Sequence, residues 1–145
     1  MSTNPSLETF ISAVKLDFEF LSKQFSFVEI GAYENGNPFS IVYENKTTRV
    51  VVEGRNYGFG VQVMLSPAGN SEYDNLMPLW ALALSKSAQH KLPSGQLKQL
   101  QYYSGLLRNY AEDELKGDFS SLSRVRAIID EEFKKSQLPK KRYLP

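Results

Sequence analysis

The sequence predicts an α+β fold, a four-stranded antiparallel β-meander with an N-terminal helix and C-terminal helices packed on one face. Three observations lead there. Apolar residues recur at three- and four-residue intervals toward both ends of the chain, which is the helical period. The middle carries four strand-like runs bounded by glycine and asparagine. The links between those runs are too short for the crossover of about a dozen residues that parallel neighbours need, so the strands must alternate in direction.

In chain order, "NPSLETFISAVKLDFEFLSKQF" places Leu7, Phe10, Ile11, Val14, Phe18, Leu21 and Phe25 on one stripe of an amphipathic helix. Strands are expected over residues 27–34, 38–44, 48–53 and 57–65, joined by "ENGN", "NKT" and "GRN", turns of hairpin composition and length. The segment "LMPLWALAL" reads as a short apolar helix in which Pro78 is tolerated only near the first turn. A helix from about residue 94 to 116, the longest of the chain, would turn Leu97, Leu100, Tyr103, Leu107, Tyr110 and Ala111 inward and stop at Gly117. Asp118 would cap a last helix carrying Phe119, Leu122, Val125, Ile129 and Phe133. Residues 1–145 are read as one domain whose tail frays from about residue 137.

Composition removes whole classes of function. Hydrophobic residues make up 41% of the chain and charged residues 23%, the balance of a globular domain able to offset its conformational entropy. Seventeen basic and sixteen acidic residues leave a formal charge of +1, so no global field draws nucleic acid or an anionic membrane. The absence of cysteine excludes disulfides, thiolate nucleophiles and zinc ribbons. The first residues lack a basic region followed by an apolar stretch, and no run approaches the roughly 20 apolar residues of a membrane span, so a cytoplasmic protein is expected.

The stretch "RVVVEGRNYGFGVQV" looks at first like a phosphate-cradling loop. A nucleotide-binding glycine loop leads from a strand into a helix, whose N-terminal N–H groups hold the phosphate. Here it leads into another strand, and it lacks the Lys-Ser or Lys-Thr pair of a P-loop. A turn is therefore expected, either two residues at Gly54-Arg55, pairing Val52 with Tyr57, or four residues, pairing Val52 with Phe59. Both registers put Val50, Val52, Phe59, Val61, Val63 and Leu65 on the core side.

Candidate catalytic groups do not assemble. His90 is the lone histidine, in the polar link between helices. The carboxylates of "AEDEL" and "IDEEF" are helix neighbours pointing about 100° apart, read as solvated faces rather than an acid/base pair. No catalytic residue, metal site or cofactor is expected. The helix–sheet–helix order suggests a double-stranded-RNA module, but the second-helix start "SGQLKQLQYY" has one lysine, and "KKR" at residues 140–142 reads as a solubilising tail. Nucleic acid and membrane are not expected partners.

With the inner side covered by helices, the other side of the sheet would face water and display Glu29, Val42, Glu44, Arg49, Val51, Glu53, Gly58, Gly60, Gln62 and Met64. Val42, Val51 and Met64 would form an apolar strip with Arg49 and the glutamates around it as a polar rim, and Val42, Glu44, Arg49, Val51, Gln62 and Met64 are the expected partner-binding residues. In overall layout the chain resembles small bacterial proteins of the immunity type that accompany polymorphic toxins. The resemblance rests on "FLSKQFSFVE", on the "FSIVYENKTTRVVVE" hairpin and on "YAEDELKGDFSSLSRVRAIID". It implies a non-catalytic protein that neutralises a toxin by binding it. The alternative expectation is a small-ligand-binding or enzymatic domain.

Overall fold

The computed structural model describes residues 7–31, 37–55, 60–69, 76–89 and 91–137. Phe59, Gly58, His90, the "KKR" tail and the predicted fraying beyond residue 137 lie outside them. The architecture is α+β, with an antiparallel sheet preceded and followed along the chain by helices.

The N-terminal stripe forms two helices rather than one, α1 (Leu7–Asp17) and α2 (Glu19–Phe25), with Phe18 between them. In an unbroken helix Phe18 and Phe20 would point some 200° apart, and only one could reach the core. The break lets both bury, Phe18 at 0% and Phe20 at 6% exposure, the latter beneath the Arg108 guanidinium 4.6 Å from its ring centre. The carbonyl of Asp17, orphaned at the end of α1, accepts the Ser104 hydroxyl at 2.7 Å. Ser26 closes α2 in the left-handed region at φ 61°, and the Phe27 N–H bonds back to the Leu21 carbonyl.

Among the described residues the sheet is a meander of five strands rather than the predicted four: β1 (Val28–Gly31), β2 (Ser40–Glu44), β3 (Thr48–Arg55), β4 (Gly60–Pro67) and β5 (Met77–Pro78), each antiparallel to the next. The unforeseen β5 arises at the proline expected inside the short helix. Proline holds φ at −61° here and keeps its predecessor extended, so Met77 and Pro78 continue as strand opposite Leu65 and Met64 before α3 (Leu79–Ser85) begins. Lacking an N–H, Pro78 belongs on a sheet edge.

The β3–β4 hairpin closes later than either expected register. The ladder runs to Arg55↔Gly60 and pairs Val52 with Val63 and Val50 with Leu65. Gly54 is thus a ladder residue and not part of the turn. A Cβ there would stand 3.0 Å from Gln96 Nε2 and 3.1 Å from Phe39 Cβ, so a side chain would crowd this close approach on the helix side. The displacement is four residues from the four-residue register, an even number, and the core parity therefore holds: Val50, Val52, Val61, Val63 and Leu65 all join the main core.

That core gathers the helix side chains against this inner face. The predicted long helix is interrupted at Ala111 into α4 (Gln96–Tyr110) and α5 (Glu112–Leu115), and α6 (Leu122–Gln137), at 16 residues, is longer than α4 at 15. Leu97 was expected inward but is 42% exposed; Gln96 and Gln99 bury instead. Gln99 accepts the Val61 N–H at 2.9 Å and donates to the Pro93 carbonyl at 3.0 Å, fastening α4 to β4. Gly117 ends the segment at φ 98°, as expected. Asp118 accepts the Ser120 N–H at 3.0 Å, making a turn ahead of α6 rather than its cap, and Phe133 is 63% exposed instead of packed.

Glu114, expected on a solvated face, is 1% exposed. Its carboxylate meets Lys86 Nζ and the Ser121 hydroxyl, each at 2.6 Å, and its carbonyl accepts the Thr48 hydroxyl at 2.6 Å. One residue joins α3, α5, the approach to α6 and β3. Satisfied on all sides, this buried carboxylate holds structure.

Candidate interaction surface

Strand pairing decides which side chains share the outer face of the sheet. Across β2–β4 the cross-strand rows are Ser40, Glu53 and Gln62; Val42, Val51 and Met64; and Glu44, Arg49 and Ser66. The six residues expected to meet a partner, Val42, Glu44, Arg49, Val51, Gln62 and Met64, therefore do lie together on this face.

Their exposure differs from expectation. Val42, Val51 and Met64 form a second apolar cluster, 4%, 1% and 6% exposed, against which Leu76 packs. Glu53 and Ser66 on the same side are each 1% exposed. The centre of the outer face is thus interior, and the predicted water-facing strip is corrected: period two assigns a side, but two apolar clusters on opposite sides of a sheet follow the same alternation as one core and one solvated face. Glu44, Arg49 and Gln62 sit half-buried. Arg49 Nε lies 3.1 Å from Glu44 Oε2, which also accepts the Gly69 N–H at 3.1 Å.

Apolar surface emerges at the sheet edge instead. β1 closes one side of the strand order, and all its described residues are exposed. Val28 is 61% and Ile30 48% exposed. Val28 lies opposite Glu44 and Gly31 opposite Val42, which puts Val28 on the outer face. The register slips between Glu29 and Gly31, leaving Ile30 as the extra residue of a bulge, a feature that re-aims a side chain at a sheet edge.

Glu29, expected on the outer face, pairs with Tyr43 and so lies on the helix side, where Lys15 of α1 approaches it to 3.8 Å. Tyr43 is 5% exposed, and burial first, then the Glu29 charge, pushes its phenol above the ordinary range, so it stays neutral beneath the edge. Leu16, next to Lys15 in α1, is 73% exposed. The edge thus offers two apolar side chains with Glu44 and Arg49 toward the sheet and the Lys15–Glu29 pair toward the helices. Alternation within "FVEIG" carries a signal for this, since Phe27 at 2% exposure anchors the inward side and leaves Val28 outward.

Among the described residues no three His, Asp or Glu side chains come together to hold a metal ion, and no helix is long and apolar enough to cross a membrane. Comparison with protein-family models, curated proteins and solved structures finds no match to the chain.

Proposed function

We propose that the chain is a non-catalytic, cytoplasmic protein-binding module of the immunity type, which neutralises a toxin by binding it along β1. The observation that supports this reading is the exposure of Val28 and Ile30 on a strand that, among the described residues, has one neighbour in the sheet. Monomeric proteins commonly blunt such edges with charge or proline, and an apolar edge left open is a template for a partner's backbone and side chains. The bulge at Ile30 limits regular pairing to a short segment, so side-chain contact carries more of the recognition than strand addition. The ion pairs on either side would form the polar rim that such patches carry. A stable complex buries roughly 800 Å² per partner, more than two side chains supply, so the footprint extends beyond β1 toward α1, which the Lys15–Glu29 pair joins to the edge.

A toxin gene next to the gene for this chain is what the reading expects, and growth of cells expressing that toxin tests it. The native chain restores growth, whereas Val28→Lys with Ile30→Lys leaves the fold intact, because both positions are exposed, and abolishes rescue. Toxin separated from the complex regains full activity. Rescue by the double variant would move binding off this edge, and permanently inactivated toxin would show that the chain modifies its partner chemically.

A further inference from the structure

A groove of about 490 Å³ opens where the end of α2, the β2–β3 hairpin and the end of α5 meet. Its size falls within the range of about 300–1,000 Å³ that accommodates small molecules. Half-buried Phe25 gives it an apolar wall, and Leu115, at 1% exposure, packs behind the lining. Its exposed lining is cationic and neutral. Lys46 and Lys116 border it, and among the described residues no carboxylate does.

The walls are tied together from within. Asn45 donates through Nδ2 to the Phe25 carbonyl at 2.8 Å and to the Leu115 carbonyl at 3.3 Å, bridging two helix ends. Its Oδ1 accepts the N–H groups of Thr47 at 3.0 Å and Thr48 at 2.8 Å, which sets the hairpin turn. These groups are committed to shape, and a ligand would find the groove already formed, with little ordering cost on binding. Lys116 has a structural duty: it follows α5, where a cation complements the carbonyl end, and meets Glu112 at 2.7 Å in an exposed pair that is readily exchanged. Lys46 sits at the hairpin tip, and no carboxylate among the described residues pairs with it.

We propose that this groove binds a small organic anion, its apolar body against the half-buried Phe25 and its phosphate or carboxylate held by Lys46 and Lys116. The inference goes beyond toxin binding and does not depend on it. Phenyl phosphate and phenylacetate, titrated into the isotopically labelled full chain, should move the backbone amide resonances of Phe25, Lys46, Thr47 and Lys116 and saturate at about 1 mM or below. Lys46→Gln should weaken binding at least about tenfold, whereas Lys134→Gln on exposed α6 should leave it unchanged. Neutral benzyl alcohol should give no saturable shift, and inorganic phosphate should bind much more weakly than its phenyl ester. Failure of both anions to saturate would overturn the proposal. So would equal binding of benzyl alcohol, which would remove the charge, equal binding of inorganic phosphate, which would remove the apolar body, or equal weakening by Lys134→Gln.

Discussion

At the scale of single residues, Val51 separates what was legible in the sequence from what was not. Its side of β3 follows from counting by twos from Val50 and Val52, and that part of the reading held. Its 1% exposure does not follow, because alternation is local whereas burial depends on what packs over the strand from elsewhere in the chain. An ammonium forced into this cluster would be desolvated without a counter-charge, so Val51→Lys should unfold the protein or cost more than about 3 kcal/mol in chemical denaturation. Asp17 illustrates a smaller effect of the opposite sign. It ends α1, where negative charge opposes the helix dipole, and burial raises its carboxyl above the ordinary value of 3.8. A raised carboxyl disfavours the charged form in the fold, so Asp17 weakens stability as pH climbs from below the unfolded value through the folded one. Asp17→Asn should therefore melt higher at neutral pH. Solvent screening of this partly exposed group keeps the gain to a few tenths of a kcal/mol, and it should vanish near about pH 3, where the native carboxyl is neutral in both states. A gain that instead grew with acidification would reverse the sign assigned here.

At the scale of elements, types were legible and interruptions were not. Both broken helices carry continuous apolar periodicity, and nothing in the local pattern marks Phe18 or Ala111 as a break. The breaks come from tertiary demands: burial of Phe20 as well as Phe18, and delivery of Glu114 to Lys86, Ser121 and Thr48. Glycine carried more information than its turn-forming reputation suggests. Gly54 was read as a turn but serves a close approach, while Gly117 was read as a helix stop and has the positive φ that such a stop uses. Two glycine-to-alanine changes should consequently diverge. At Gly117 the new methyl group would lie 2.7 Å from Thr47 Cβ with φ at 98°, and Gly117→Ala should cost about 2 kcal/mol or more. Gly105 lies inside α4 with open space around its Cβ position, and Gly105→Ala should stabilise by up to about 1 kcal/mol. Thermal melts of the two variants beside the native chain give both signs at once, and equal shifts would remove the distinction between strained and unstrained glycine.

At the scale of the whole molecule, the fold has two apolar layers divided by one sheet, a main core under the helices and a smaller cluster on the outer side. Among the described residues, the large apolar side chains of the sheet that reach solvent, Val28 and Ile30, consequently stand at the β1 edge. The candidate surface moved from the outer face to its rim for this reason. The half-buried residues Glu44 and Arg49, expected as part of a partner surface, remain beside it as the polar border of Val28. The most direct measurement of this account is a crosslinking map in the source cell. A photoreactive side chain is placed at Ile30 in one copy of the chain and at Asp130, exposed on α6, in another. The account predicts one dominant covalent partner from Ile30, absent from Asp130 and lost when Val28 is replaced by lysine. An equal yield of that partner from Asp130, or no partner from Ile30, would contradict binding through β1.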